Sequence, residues 1–402
     1  MALALGELAH VGNGTPTGEW FRRHWLAVAV SDELRDIPRA VRILGEDLVI
    51  FRDGQGRPGM LGLHCPHRDT SLEYGDIEAS GLRCCYHGWL FDVEGRCLDQ
   101  PAEPKGSSFH ERVRHLWYPV REQGGLVFAY LGPEREDPPH LPEYEPLVST
   151  QGIRHVEPVR KLAYNWFNFF ENAPDPDHIS VLHRFSAYGD QTWGNRFFQF
   201  EDMPSFEPKE TAYGVQVMLR KPGPTPDTDF VDTMVAAFPS MIQIGDTEYV
   251  HVRVEDASSL AKGSNNTHIL FLTPCDDDSF LVFTVDHYTG PDPQFFEKLK
   301  ATRALEGPKL EARPDDTREY TPFRGSVRRE DVVAQATQRP VGQREVERLG
   351  ASDRGVILLR RLLLEEIDAT QRGARPRGVL PRDATDRRVR FDSFVGVRQR
   401  GA

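Results

Sequence analysis

Two short segments, Cys65-Pro66-His67 and Cys84-Cys85-Tyr86-His87, bring two thiols and two imidazoles together across a spacer of sixteen residues. Thiolate and imidazole are the donors that soft and borderline metals accept, so two loops must fold toward each other around a metal group. Structural zinc uses two Cys and two His in other proteins, and the residue types alone leave that alternative open. Each loop supplies one Cys and one His, and Gly88-Trp89 follow the second His at the edge of a strand-like stretch. The chain has five cysteines, an odd number in 402 residues. That count argues against a disulfide framework and for reduced thiols or metal ligands, in a cytoplasmic setting.

The loops sit in a run of short β-rich pieces broken by glycine: Trp25 to Val30, Leu48 to Arg52, Gly59 to His64, Trp89 to Val93 and Gly125 to Leu131. This spacing reads as a small all-β domain. An acidic, proline-rich stretch from Glu134 to Tyr144 suits a linker, which sets domains of 1–145 and 146–402. Beyond it, Tyr164 to Asn172 and Asp177 to Arg184 read as helical. Strand-like segments follow at Thr211 to Leu219, Asp232 to Ile244, Tyr249 to Glu255, Thr267 to Leu272 and Phe280 to His287. Helices return at Pro293 to Glu306, Ser326 to Gln338 and Ser352 to Gly373. A strand-rich middle flanked by helices gives an α+β fold with one antiparallel sheet.

Met1 to His10 lacks a basic segment and meets glycine early, so it fails as a secretory signal and reads as a frayed end. No apolar run approaches the ~18 residues of a membrane span, so none is expected. A net charge of −12 argues against a nucleic-acid partner. The arginine-rich stretch Arg372 to Arg400 reads either as a solvated surface or as a docking face for an acidic redox partner.

The richest stretch chemically is Asp175-Pro176-Asp177-His178 through His183, a D-x-x-H-x4-H pattern. Two imidazoles and one carboxylate on one face of Fe(II) leave the remaining positions open for dioxygen and substrate. Residues five apart on a regular helix differ by about 140°, so His178 and His183 meet one metal only if the helix is distorted. Asp175 lies three residues before His178 and can accept the proton on the other ring nitrogen. Asp175-Pro176 also suits a helix N-cap followed by proline, so capping stays open as its role.

The two cysteine–histidine loops resemble the Rieske signature, C-x-H then C-x-x-H. That resemblance implies a 2Fe-2S cluster with Cys65 and Cys84 on one iron and His67 and His87 on the other. Cys85 stands where these proteins usually have proline and is expected to fill that space as a buried thiol. With the second constellation, the chain resembles the Rieske aromatic-ring oxygenases. Tyr86 to Pro101 and Arg348-Leu349-Gly350-Ala351-Ser352-Asp353 are similar to the phthalate dioxygenase group, over nearly the whole length.

The resemblance implies an N-terminal Rieske domain and a helix-grip-like catalytic domain. It also implies a mononuclear Fe(II) held by His178, His183 and a downstream carboxylate. Asp331 matches that carboxylate, with Glu330 as its competitor and Asp315 or Asp316 also open. Asp175 would connect His178 to the cluster histidine matching His87 of a neighbouring subunit, which requires a homotrimer or stacked trimers. Electrons would come from a separate NADH-dependent reductase carrying FMN and a plant-type 2Fe-2S cluster. No glycine-rich dinucleotide fingerprint occurs in this chain. The implied reaction is O2-dependent hydroxylation of a small aromatic substrate such as a phthalate-type acid, or alternatively O- or N-demethylation. A ferredoxin-like electron carrier or a zinc-binding module would leave His178 and His183 without a purpose.

Overall fold

The computed structural model describes residues 3–183, 203–223, 225–245, 266–289, 327–339, 341–392 and 395–400. The expected strand Tyr249 to Glu255, the helix Pro293 to Glu306, and the candidates Asp315 and Asp316 lie outside these residues.

The N-terminal part is built from short strands, as the glycine-broken pattern requires. Glu46–Arg52 is its pivot, pairing with Arg39–Ile43 on one side and Pro58–Gly62 on the other. Successive side chains point to opposite faces, and here both faces are buried. Leu48 and Ile50 join the large core shared with the C-terminal part, while Val49 and Phe51 pack into a smaller core with Leu61, Leu72, Leu82, Phe91 and Trp117. Above that smaller core lies a four-stranded sheet of Asp76–Glu78, Gly81–Arg83, Leu90–Phe91 and Cys97–Asp99. The second cysteine–histidine loop joins Gly81–Arg83 to Leu90–Phe91 in that sheet, and the first lies between Pro58–Gly62 and Asp76–Glu78.

The C-terminal part is organised by a nine-stranded antiparallel sheet. Its main path runs Ile153–Val156, Ser279–Tyr288, Asn266–Asp276, Met241–Gly245, Thr228–Ala237, Gly214–Pro222 and Ser205–Glu210. Arg160–Leu162 also pairs with Ser279–Tyr288, and Val395–Gln399 with Thr228–Ala237. One face, through Val235, Ile269, Phe271, Phe283 and Val285, packs on Trp25, Ala27, Leu126 and Phe128 of the N-terminal β layer. The other, through Phe230, Ile242, Leu270, Leu272 and Val282, packs under two helices, Val327–Ala336 and Arg354–Gln371. The longer helix buries Val356, Leu359, Leu363 and Ile367 at spacings of three and four, the stripe an amphipathic helix turns to a sheet. The architecture is therefore α+β, with a β-rich N-terminal part and, among the described residues of the C-terminal part, one large antiparallel sheet carrying helices.

Two expectations are corrected. The N-terminal residues do not fray: Leu5–Ala9 forms a 3-10 helix with Leu8 and Ala9 fully buried. Trp20 and Phe21 stack edge-on against Phe238 and Trp166. The continuous strand expected over Asp232 to Ile244 turns back at Phe238-Pro239-Ser240 into two paired strands. The arginine-rich tail is a solvated surface, with Arg390 71% exposed, and several of its charges are also paired within the chain. Arg382 pairs with Asp137, Arg388 with Glu143 and Glu145, Arg390 with Glu145, and Arg400 with Asp229. The acidic linker is thus a binding strip for the tail, and Glu143–Tyr144 pairs in parallel with Arg388–Val389. No helix among the described residues is long and apolar enough to cross a membrane.

The start of Arg354–Gln371 touches the turn before His178. A methyl group on Gly355 would sit 2.0 Å from the Pro174 carbonyl oxygen. Backbone cannot yield there without moving the turn, so Gly355→Ala is expected to cost about 1–3 kcal/mol. The thermal midpoint should fall by several degrees; an unchanged midpoint would show that the two segments separate freely.

Candidate metal centres

The two cysteine–histidine loops are the same turn built twice. Cys65 N–H donates to the Thr70 carbonyl at 2.9 Å and Asp69 N–H to the Cys65 carbonyl at 2.9 Å. In the second loop, Cys84 N–H donates to Trp89 at 2.8 Å and Gly88 N–H to Cys84 at 3.1 Å. In each, the residue four after the cysteine is left-handed, Asp69 at φ 58° and Gly88 at φ 76°. Glycine adopts this conformation without strain. At Gly88 a side chain would also meet Pro101, with Cβ 2.7 Å from its Cγ. Arg83 holds the second loop from below, donating to the Gly88 carbonyl, to Asp99 at 2.8 Å and to Glu78.

The four side chains sort by type. Cys65 and Cys84 are buried, and burial, with Cys84 against it, pushes the Cys65 thiol up to about 12. His67 and His87 lie at the rim with ring centroids 4.4 Å apart, and His67 stacks on Trp89 at 4.5 Å. A zinc ion needs all four donors about 2.0–2.3 Å from one point. A buried thiol pair and an outer imidazole pair suit a cluster of two irons with one pair on each. Cys85 is exposed, contrary to the expected buried thiol. Arg83 has no motif to mark it in the sequence, because its partners are a backbone carbonyl and two acids outside the loop.

The second centre joins segments far apart in sequence. Helix Trp166–Phe170, capped by the Asn165 side chain, leads through a turn into helix Asp177–Leu182. His183 has left the helix, with φ −91° and ψ 4°. That departure resolves the angular mismatch of a five-residue spacing and brings the His178 and His183 ring centroids to 5.4 Å. Asp331, on Val327–Ala336, places Oδ1 3.2 Å from His183 Nε2 and 3.7 Å from His178 Nε2. These three ligand atoms all lie within 4.8 Å of one another.

The far nitrogen of each ring is anchored. His183 Nδ1 lies 2.9 Å from Oε2 of the fully buried Glu330, and His178 Nδ1 meets the Asp175 backbone carbonyl. Asn172 donates to Asp331 Oδ1 at 3.3 Å. Both Nε2 atoms are thereby turned toward Asp331, the arrangement that prepares imidazoles for metal. Burial alone would lower the His183 imidazole, but Asp331 and Glu330 together push it up to about 9. Burial would raise the Asp331 carboxyl, yet the two histidines and Asn172 hold it below its ordinary range. Two imidazoles and a carboxylate suit ferrous iron.

Glu330, expected as a competing ligand, lies on the other side of the His183 ring from Asp331. Asp175 differs from its expected bond: its carboxylate is 3.9 Å from His178 Nδ1 and the backbone carbonyl is the acceptor instead. Its Oδ1 accepts the Asp177 N–H at 3.2 Å, and its side chain keeps 33% exposure on a cleft of about 430 Å³.

A small β domain with a paired thiol and imidazole set, joined to an antiparallel sheet bearing a two-histidine, one-carboxylate site, defines a Rieske protein with a second metal centre. The model of the Rieske [2Fe-2S] domain matches residues 24–116. The phenoxybenzoate dioxygenase subunit alpha of Ectopseudomonas oleovorans is 35% identical over 387 residues, covering 93% of this chain and 87% of that one. The 5,5'-dehydrodivanillate O-demethylase oxygenase subunit of Sphingobium sp. is 31% identical over 95% of this chain and 84% of its own length. The phthalate 4,5-dioxygenase oxygenase subunit of Pseudomonas putida is 29% identical over 96% and 91%. The crystal structure of dicamba monooxygenase bound to dicamba shares the fold with a TM-score of 0.66 at 20% identity, over 88% of this chain and 99% of that one. The chain belongs to the Rieske aromatic-ring oxygenases, in the phthalate dioxygenase-like group, and is an oxidoreductase.

Gly88→Ala is expected to lose most of the 2Fe-2S cluster, since both the left-handed backbone and the Pro101 contact oppose a side chain. Sulfide content and the visible spectrum per chain report this directly. A full complement of cluster would show that the loop tolerates a side chain there.

Proposed function

We propose that this chain is a terminal oxygenase that hydroxylates an aromatic acid of the phenoxybenzoate or phthalate type, drawing electrons from a separate NADH-dependent reductase carrying FMN and a plant-type 2Fe-2S cluster. The observation that carries the reading is the convergence of His178, His183 and Asp331, each held from behind, in one chain with the Rieske domain. When bound, the cluster supplies electrons one at a time and the iron activates dioxygen. Cys65 and Cys84 would hold one cluster iron and His67 and His87 the other. His178, His183 and Asp331 would hold the mononuclear iron, and Glu330 fixes the His183 ring behind it.

Asp175 is proposed as the connection to the cluster of a neighbouring subunit, in a homotrimer or stacked trimers. Its partly exposed carboxylate on the cleft beside His178 supports that role, and so does the exposure of the His67 rim. The chain is taken as a Rieske domain over 1–145 and a catalytic domain over 146–402. Five free cysteines support a reducing, cytoplasmic setting. A second reading, O- or N-demethylation of an aromatic ether or amine, is favoured by the likeness to the dehydrodivanillate O-demethylase subunit.

With protein purified anaerobically, His178→Ala should lose about one iron per chain while the reduced 2Fe-2S signal persists, and substrate-dependent oxygen uptake should vanish. Glu330→Ala should retain the ligands yet weaken iron retention against a chelator by roughly 10- to 100-fold. Unchanged iron in His178→Ala would remove the assignment of the mononuclear site.

A further inference from the structure

Gln100 is a buried amide that the folded chain does not satisfy. It keeps only 6% of its surface, and both Nε2 and Oε1 are sealed from solvent without a hydrogen-bond partner among the described residues. Burying an amide without partners is costly, because the hydrogen bonds it made to water are not replaced. Buried polar groups are nearly always bonded, so this one calls for a partner outside the polypeptide.

Its place in the fold is beside the second cysteine–histidine loop. Gln100 directly follows the strand Cys97–Asp99, which pairs with Leu90–Phe91, the strand that leaves that loop. Both of its sequence neighbours hold the loop. Asp99 accepts from Arg83, which also donates to the Gly88 carbonyl. Pro101 packs so closely on Gly88 that a Cβ there would lie 2.7 Å from its Cγ.

The surroundings of the amide belong to the thiol pair. Cys97 lies in the same buried core as Cys65 and Cys84, and its thiol acts on Cys65. Burial raises the Cys97 thiol, and the Asp99 backbone and the Gln100 amide act against it. The Cys97 S–H is turned to the Asp99 carbonyl at 3.6 Å, so it is not offered to the amide. A sulfur bound to iron carries more negative charge than a thiol and is the stronger acceptor. Hydrogen bonds to cluster sulfurs favour the reduced form, which holds one more electron, and so help to set the potential.

We propose that the Gln100 amide N–H donates to a sulfur of the Rieske centre on its Cys65–Cys84 side and raises the potential at which the cluster takes up its electron. One electron enters, no bond is made or broken, and the amide keeps its proton. The inference rests on the seating of the cluster on Cys65 and Cys84, and adds a residue that sets how readily electrons reach it.

The test is a redox titration of the full chain, followed by the reduced Rieske signal, with iron and sulfide counted. Gln100→Met keeps the length of the side chain and removes its N–H groups. The variant should hold a full cluster whose reduced form is disfavoured about tenfold, which for one electron is a fall of about 59 mV. In wild type carrying 15N only in glutamine side chains, pulsed EPR of the reduced cluster should show a weakly coupled 15N that Gln100→Met lacks. An unchanged or raised potential in Gln100→Met overturns the proposal. So does a wild type without the 15N coupling, a reading on the unaltered chain that decides the matter if Gln100→Met assembles poorly. Cys65→Ala that keeps its cluster overturns the seating, and the inference with it.

Discussion

One turn of helix holds His183 from both sides. Glu330 reaches Nδ1 and Asp331 reaches Nε2, so adjacent residues fix the orientation of a ring 147 positions earlier in the chain. A carboxylate on each nitrogen leaves the imidazole little freedom to turn, and the same Asp331 oxygen faces His178. Asn172, in the turn before His178, also donates to Asp331 and ties that helix to the turn.

The support is ionic as well as apolar. Glu171, directly before Asn172, is buried and accepts from Arg344 at 2.9 Å and from Arg360 of the long helix. Arg344 also lies over the Phe167 ring at 4.3 Å and donates to Asn168 at 3.1 Å, while Asn168 donates to the backbone beyond Val327–Ala336. Removing one member of such a buried set leaves the others uncompensated, at about 3–5 kcal/mol. The hub therefore locks the turn carrying Asn172 and Asp175 to both helices. The sheet below supplies the rigid floor, its two faces divided between the N-terminal β layer and those helices.

Much of the site was legible because metal chemistry restricts residue type. Cys65, His67, Cys84 and His87 stood out by donor type and spacing, and His178 with His183 by the need for two imidazoles near a carboxylate. Asp331 could be named only through resemblance, since nothing local separates it from Glu330; both are acids on the same turn. Arg83, Asn172 and Glu171 carried no signal because their partners are distant or are backbone atoms. The first ten residues misled for a related reason: Leu8 looks like a scattered apolar residue until it is buried in the core that the long helix shares.

Local rules therefore determined the donors, the short-strand character of the first part, the amphipathic stripe of Arg354–Gln371 and the glycine at position 88. Each depends on residues within a few positions, where spacing and backbone preference act directly. Tertiary structure decided which acid faces both Nε2 atoms and which lies behind His183. It also decided that the Asp175 backbone, not its carboxylate, anchors His178, and that the basic tail pairs with the acidic linker. Those outcomes turn on ångström-scale distances between segments remote in sequence, which are set only when the sheet and its helices pack.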